Sequence, residues 1–292
     1  MPGPFGSVVT AMATPFRPDG SLDLEGAARL ATHLFEHGSD AVLVAGSTGE
    51  APTLSAEEKE ALLRAVVGVG RGPVLCGTGT YSTAESVDLT RMATEAGASG
   101  ILLVTPYYNR PPQRGLVEHF ATVAGATQLP VMLYNVPARA ATRIEHETLV
   151  RLASVPNIVA VKDSTGDLQA AARLIAALPA DVVVYAGDDW GAFAWACAGA
   201  AGVVSVASHV VGDAIARMLS LVEARDLEPA RAIHAELTPV FDALFITSNP
   251  IPLKAALDLL GLPGGTPRLP LVAASEDERA RVAEALTRVG LP

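Results

Sequence analysis

The chain of 292 residues is half hydrophobic and carries 31 acidic against 21 basic residues, a formal net charge of −10. This balance argues against nucleic acid as a partner, because phosphate binding needs a basic face. No apolar stretch reaches the roughly 18 residues of a membrane span, and the start, Met1 to Phe5, lacks the basic and apolar segments of a signal peptide. We therefore expect a cytoplasmic protein with no membrane partner.

The cysteine and histidine content predicts no metal site. Cys76 and Cys197 can form neither a disulfide framework nor a zinc cluster, and both lie in apolar segments, as small core residues do. The six histidines are scattered, without HxH or HExxH spacing. We expect neither a metal nor another cofactor.

Short apolar runs recur along the chain, each bounded by Gly, Pro, Asp or Asn. Continuous β-branched runs of this kind predict strands buried on both faces, as in parallel sheets. The eight runs are Val8–Met12, Ala41–Ala45, Val74–Cys76, Ile101–Val104, Val131–Tyr134, Ile158–Lys162, Val182–Tyr185 and Val203–Val206.

Segments of helical period separate these runs. The predicted helices are Leu24–Phe35, one capped by Ser55 with Glu58, one capped by Ser82 or Thr83 and running to about Ala96, then Leu116–Ala126, Glu145–Ala153, Leu168–Ala177, Gly191–Ala198 and Val211–Val222. Strand and helix alternate eight times, which predicts a (β/α)8 barrel, the TIM barrel. A doubly wound open sheet is the alternative, but it usually has fewer units or a glycine-rich turn after the first strand.

The C-terminal part of the chain shows helical period without further strands. Its segments are Glu228–Phe245, Pro250–Leu260 and Ser275–Val289, the last two separated by a stretch rich in glycine and proline. We expect a barrel catalytic domain over residues 1–227 and a C-terminal helical subdomain over 228–292. This subdomain could cover the barrel or form an oligomer contact.

The sixth predicted strand ends in Lys162, at the end of the barrel where active sites lie. Only three of the 21 basic residues are lysines, Lys59, Lys162 and Lys254. Lysine loses its proton when desolvated whereas arginine does not, so a lysine at the inner end of an apolar strand is a candidate amine nucleophile. The alternative is a strand-end lysine that reaches solvent or pairs with Asp163.

Other predicted strand ends carry residues that suit an amine nucleophile acting on a carbonyl. Tyr134 can relay the protons of Schiff-base formation. Ser47 and Thr48 lie in a glycine-flanked turn whose free amides can hold a carboxylate, and Arg139 offers a forked donor to a second carboxylate. Together these groups indicate carbon–carbon bond chemistry on a keto acid.

Each of these signals also has a simpler structural interpretation. The turn at Ser47 and Thr48 is by itself a loop with capping residues. Tyr107 and Tyr108 could be packing aromatics. Glu50 could tie down the loop rather than act as a base. Only the joint placement of these side chains on strand ends favours a site.

Several of these segments resemble the dihydrodipicolinate synthase and N-acetylneuraminate lyase superfamily, over about Val8 to Leu271. The matching segments are Gly46–Glu50, Thr105–Pro111, Tyr134–Pro137, Val161–Asp163, Gly187–Asp189 and Gly202–Val206. The resemblance implies a class I aldolase mechanism on pyruvate, without a cofactor, in a lyase that forms a Schiff base.

The resemblance also implies a role for each matching residue. Lys162 would form the Schiff base, Tyr134 would relay protons, and Ser47 and Thr48 would hold the pyruvate carboxylate and connect the relay. Tyr108 would complete it from a neighbouring subunit, since members are typically homotetramers built as dimers of dimers.

Two further residues would line the substrate pocket through their backbone carbonyls. These are Gly187 and Val204.

Arg139 directs the choice within the superfamily, because dihydrodipicolinate synthases carry an arginine here for the carboxylate of aspartate semialdehyde. The expected reaction is condensation of pyruvate with L-aspartate 4-semialdehyde, the first committed step of diaminopimelate and lysine synthesis. The alternatives are another pyruvate aldolase, acting on sugar acids or hydroxy-keto acids, and a non-catalytic keto-acid binder. Ser47 and Ala140–Ala141 depart from the usual synthase residues.

The resemblance also implies a position for a feedback site. Ala56, Lys59 and Tyr81 replace polar residues that bind inhibitory lysine in some members. A positive Lys59 would repel the ammonium groups of the inhibitor, so we expect weak or absent inhibition by lysine.

Overall fold

The computed structural model describes residues 3–292, so the first two residues of the predicted barrel domain lie outside the described part. Within it, eight strands form a closed barrel in which each strand pairs in parallel with the next and β8 pairs with β1. The strands are β1 (Val8–Ala11), β2 (Ala41–Val44), β3 (Val74–Gly77), β4 (Gly100–Val104), β5 (Val131–Asn135), β6 (Ile158–Asp163), β7 (Val183–Ala186) and β8 (Gly202–Ser205). The predicted (β/α)8 barrel is confirmed, with every strand boundary within one residue of its apolar run.

Helices surround the barrel and continue after it. Over residues 3–292 they are α1 (Leu24–Glu36), α2 (Ala56–Val67), α3 (Thr83–Glu95), α4 (Gln113–Ala124), α5 (Pro137–Ala140), α6 (His146–Leu152), α7 (Leu168–Ala177), α8 (Ala192–Cys197), α9 (Ser208–Glu223), α10 (Leu227–Ala243), α11 (Ile251–Leu259) and α12 (Glu276–Arg288). The predicted caps are confirmed: Ser55 and Glu58 form a reciprocal capping box, and Ser82 accepts from the Glu85 amide.

Four elements differ from the predicted ones or were not predicted. The helix α4 begins three residues before Leu116, directly after Pro112, because apolar periodicity marks only its buried turns. The helix α9 begins at Ser208 and kinks at Val211, whose φ and ψ are −132° and 31°. The short helix α5 and a 3-10 turn over Ala51–Thr53 are too brief to show periodicity.

The barrel interior is a packed apolar core rather than a channel. The side chains that fill it come from all eight strands and are buried. They include Val9, Leu43, Leu75, Leu102, Met132, Ala160, Tyr185 and Val204. The hydroxyl of Tyr185 donates to the Gly6 carbonyl and accepts from the Phe5 amide, closing the end of the barrel away from the C-terminal strand ends. Any site on this barrel therefore lies at the opposite mouth.

The C-terminal helices pack directly on the barrel helices. The helix α10 lies along α9 and also contacts α8, while α11 contacts both α9 and α12. The division of the chain at residues 227 and 228 stays a prediction. Within the described residues 3–292, none of the helices is long and apolar enough to cross a membrane.

Gly77, at the end of β3, allows that strand to pass close under the turn that follows β2. A Cβ atom there would overlap the carbonyl oxygen of Ala45, whereas a Cβ at Gly115, in α4, would meet its nearest atom at an ordinary 3.6 Å. Packing therefore requires a glycine at position 77 but leaves room for a larger residue at position 115.

We expect Gly77→Ala to lower the free energy of unfolding by about 2 kcal/mol or more, because the added methyl group must displace main-chain atoms. The matched control Gly115→Ala should raise it by about 0.5–1 kcal/mol, since alanine favours the helix. Chemical denaturation at one protein concentration measures both. Equal stability of the two variants would contradict the packing account.

Candidate active site

Lys162 and Tyr134 lie opposite each other on neighbouring strands at the C-terminal mouth. The register of β5 and β6 pairs these two residues, and the Lys162 Nζ lies 4.1 Å from the centroid of the Tyr134 ring. Lys162 is only 6% exposed, and among the described residues it forms no ion pair with Asp163. The interpretation of Lys162 as a lysine that reaches solvent or pairs with Asp163 is therefore wrong.

Asp163 is held by other partners. Its carboxylate accepts from the amide of Thr165, 2.8 Å away, and from the side-chain amide of Asn135. Burial raises the pKa of this carboxyl group, and these hydrogen bonds oppose the rise. The side chain of Asn135 also bonds both the amide and the carbonyl of Ile144, which fixes the segment that carries Arg139.

The turn after β2 presents unpaired amides. The Glu50 amide donates to the Ser47 carbonyl and the Ala51 amide to the Gly46 carbonyl, whereas no group of the described residues accepts from the amides of Ser47 or Thr48. The hydroxyl of Thr48 accepts from the side-chain amide of Asn249 over 2.9 Å. This turn therefore has free donors of the kind that hold a carboxylate.

Glu50 anchors the turn, as its structural interpretation predicted. Its Oε1 lies 2.6 Å from the Lys254 Nζ, and both side chains are at most 2% exposed. Its Oε2 accepts from the Arg268 amide. Burial lowers the pKa of the Lys254 amine, and Glu50 opposes this shift.

Arg268 extends this anchor to the helix α2, the 3-10 turn and the loop before α1. Its guanidinium contacts both carboxylate oxygens of Glu58 and donates to the carbonyls of Gly20 and Thr53. The cations of Lys254 and Arg268 lie 4.3 and 4.4 Å from the ring centroid of Phe16. The C-terminal part of the chain is thus fixed to the mouth of the barrel by charged contacts.

A cavity of about 550 Å³ opens at this mouth. Ser47, Tyr134 and Arg139 all line it, and Asn249 lies on the wall that the C-terminal segment contributes. The structure therefore brings together three of the predicted site residues around one space, and it places Lys162 against the ring of Tyr134.

A second part of the same cavity lies toward α2 and α3. Lys59, Glu85 and Tyr107 line it, and the ring of Tyr107 meets that of Tyr81 edge to face at 5.4 Å between centroids. Burial lowers the pKa of the Lys59 amine, while Glu85 opposes the shift. Tyr107 thus packs against another aromatic ring, as its structural interpretation predicted.

The remaining predicted residues occupy different environments. Tyr108 is 92% exposed, with a left-handed φ of 73°, and it does not line the cavity of its own chain. The Gly187 carbonyl accepts from the hydroxyl of Ser164. The side chain of Val204 is buried inside the barrel.

Three residues of this mouth were not predicted from the sequence. Asn249, Lys254 and Arg268 all lie in the C-terminal segment, far along the chain from the turn that they contact. Only Lys254 carried a signal, as one of three lysines in a chain that otherwise uses arginine.

A closed parallel barrel with a buried lysine beside a tyrosine, and with free backbone donors across its mouth, defines a class of protein. The class is the TIM-barrel enzyme of the class I aldolase type, in which a lysine amine serves as the nucleophile.

The comparisons with known proteins give the family. The model of the Dihydrodipicolinate synthetase family matches residues 4–289, and the chain belongs to this family. The 4-hydroxy-tetrahydrodipicolinate synthase of Moorella thermoacetica is 50% identical over 289 residues, covering 98% of this chain and 99% of the relative. That of Acidothermus cellulolyticus is 50% identical over 291 residues, covering 99% and 94%.

Solved structures agree over nearly the whole chain. A dihydrodipicolinate synthase of Bacillus anthracis superposes with a TM-score of 0.95 at 43% identity, covering 98% of each chain. That of Cyanidioschyzon merolae, solved with lysine bound, gives 0.97 at 43% identity and 99% coverage of each. That of Acinetobacter baumannii, complexed with pyruvate, gives 0.95 at 38% identity, covering 99% of this chain and 100% of the other. The predicted superfamily, the lyase class and the role in amino-acid biosynthesis are confirmed.

Breaking the buried ion pair should destabilise the protein. We expect Lys254→Met to cost about 3–5 kcal/mol, because it leaves the Glu50 carboxylate buried without its counter-charge. The double variant Glu50→Gln with Lys254→Met should regain most of this loss, since no uncompensated charge remains. Urea denaturation at fixed protein concentration measures both.

The exposed pair of Arg288 and Glu284, both on α12, supplies the control. Arg288→Met should leave stability almost unchanged, because solvent screens exposed pairs. A Lys254→Met variant as stable as Arg288→Met would show that the buried pair does not fix the C-terminal segment.

Proposed function

We propose that the chain is a 4-hydroxy-tetrahydrodipicolinate synthase that condenses pyruvate with L-aspartate 4-semialdehyde through a Schiff base on Lys162. The observation that carries this proposal is the burial of the Lys162 amine against Tyr134, with Arg139 lining the adjoining cavity. The names of the relatives support the reaction, and the pyruvate complex of the Acinetobacter baumannii structure supports the keto acid.

In the proposed mechanism the neutral amine of Lys162 attacks the C2 carbonyl carbon of pyruvate and forms a carbinolamine. Loss of its hydroxyl as water gives the protonated imine, and the departing oxygen takes a proton relayed through the hydroxyls of Tyr134 and Ser47. Loss of a C3 proton then gives the enamine. The enamine carbon attacks the aldehyde carbon of the second substrate, and a proton from the relay neutralises the alkoxide that forms. The amino group of the added unit then attacks the imine carbon in place of Lys162, which closes the ring and releases the lysine as a free amine.

The carboxylate of pyruvate takes the donors of the turn after β2. The free amides of Ser47 and Thr48 and the Thr48 hydroxyl supply them, and charge-assisted hydrogen bonds of this kind are strong in a desolvated site. The backbone carbonyls of Gly187 and Val204 complete the proposed pocket. No metal or organic cofactor takes part in this scheme.

Arg139 is proposed to bind the carboxylate of aspartate semialdehyde. It lies on α5, is exposed, and lines the cavity beside Tyr134. A guanidinium can hold a carboxylate by two parallel hydrogen bonds, which fixes the direction of the bound aldehyde.

We also propose that the protein works as a cytoplasmic homotetramer, a dimer of dimers. Tyr108 supports this assembly, because a tyrosine that is 92% exposed on a left-handed backbone has little to stabilise it within its own chain. In the proposed dimer, Tyr108 enters the neighbouring site and completes the proton relay.

Removal of the Arg139 guanidinium should weaken the reaction with the aldehyde and leave the binding of pyruvate almost unchanged. We expect Arg139→Leu to lower kcat/KM for aspartate semialdehyde by about 100-fold or more, because a charge-assisted pair is lost. The KM for pyruvate should change by less than about threefold. Steady-state kinetics with both substrates varied measures the two effects.

The control is Arg151→Leu, on the exposed surface of α6, which should behave like the unsubstituted enzyme. An equal loss of kcat/KM for both substrates in Arg139→Leu would contradict the role assigned to Arg139. Preferential cleavage or formation of sugar acids in an aldehyde panel would favour the alternative aldolase activity.

Lysine should inhibit this enzyme weakly or not at all. In the part of the cavity near α2, Glu85 already interacts with the buried Lys59 amine, so an inhibitor ammonium finds less uncompensated negative charge there. Activity should stay above about 80% at 1 mM lysine. Strong inhibition below 1 mM, in the same titration, would contradict this prediction.

A further inference from the structure

Asn249 lies outside the barrel, in the segment between α10 and α11, yet it reaches the turn after β2. Its side-chain amide nitrogen lies 2.9 Å from the Thr48 hydroxyl oxygen. Asn249 is only 6% exposed, and it lines the same cavity as Ser47 and Tyr134. A buried polar side chain at the wall of a substrate cavity needs a reason to be there.

The direction of this hydrogen bond determines what the Thr48 hydroxyl can do. A hydroxyl has one proton to donate and two lone pairs that accept. Because Asn249 donates to the oxygen, the Thr48 proton is left for another acceptor and its rotation is restricted. The hydroxyl is therefore oriented in advance as a donor, which is the state that a carboxylate requires.

The surrounding contacts hold Asn249 in place from both sides. The Ile251 amide donates to the Ser248 carbonyl over 2.9 Å and so closes the turn that contains Asn249. Five residues later, Lys254 pairs with Glu50, which stands two residues after Thr48. The two chain segments are thus joined at two neighbouring points, one neutral and one charged.

We propose that Asn249 is a positioning residue that orients the Thr48 hydroxyl toward the carboxylate of the keto acid. This inference rests on the proposed function, in which Thr48 binds the pyruvate carboxylate. It makes the C-terminal segment a working part of the site, because no residue of the barrel itself supplies this hydrogen bond to Thr48 among residues 3–292.

The first test separates carboxylate binding from amine chemistry. Lys162 is trapped by borohydride with pyruvate, or with acetone, which offers the ketone without the carboxylate. In Asn249→Ala the concentration for half-maximal trapping by pyruvate should rise about tenfold, the scale of one hydrogen bond to a charged ligand. Trapping by acetone should stay within about twofold of the unsubstituted enzyme.

Steady-state kinetics should show the same division. We expect the KM for pyruvate to rise about tenfold in Asn249→Ala, with kcat and the KM for the aldehyde within about twofold. Asn249→Asp has nearly the same shape but cannot donate, and its charge repels the carboxylate, so its KM for pyruvate should rise further. This variant keeps the test open if Asn249→Ala does not fold.

A double-mutant cycle tests whether Asn249 acts through Thr48. In a Thr48→Val background the oriented hydroxyl is absent, so Asn249→Ala should add less than about twofold to the KM for pyruvate. Additive tenfold effects would overturn the proposal, as would a parallel loss of trapping with acetone and pyruvate.

The proposed function and the role of Asn249 can be refuted separately. If the unsubstituted enzyme is not trapped by pyruvate, the proposed function fails and this inference with it. If it is trapped, and Asn249→Ala is trapped equally well at every pyruvate concentration, only the role of Asn249 is overturned.

Discussion

Lys162 is held in place by the parallel register of β5 and β6, which sets it opposite Tyr134 and buries its stem among the strands. Within the described residues Lys162 has an aromatic ring rather than a carboxylate beside it. Its neighbour Asp163 could have neutralised it but is engaged by Thr165 and Asn135. The barrel therefore keeps a lysine without a counter-charge at its mouth, where a carbonyl substrate can use its amine.

The mouth itself depends on a second constraint, which comes from outside the barrel. The turn that carries Ser47 and Thr48 follows β2, but its position is fixed by Glu50 through Lys254 and Arg268. An ion pair with both side chains almost fully buried is sensitive to the loss of either partner. The packing of the C-terminal segment on the barrel and the position of the turn after β2 thus depend on the same contacts.

The sequence predicted the barrel well because eight apolar runs and the helices between them are local patterns, each readable within about ten residues. It predicted Lys162 and Tyr134 for the same reason, since both stand at the ends of such runs. Asn249, Lys254 and Arg268 could not be found in this way, because their partners lie more than 200 residues away along the chain and no periodicity records such pairing.

The central claim is that Lys162 alone provides the reactive amine. Reduction with borohydride in the presence of pyruvate, followed by peptide mass spectrometry, tests it most directly, because reduction converts an imine into a stable secondary amine. The account predicts one carboxyethyl group per chain, on Lys162, with none on Lys59 or Lys254 and none at all in Lys162→Arg. A protein that stays unmodified and keeps its activity, or one that is modified on another lysine with activity lost in parallel, would contradict the account.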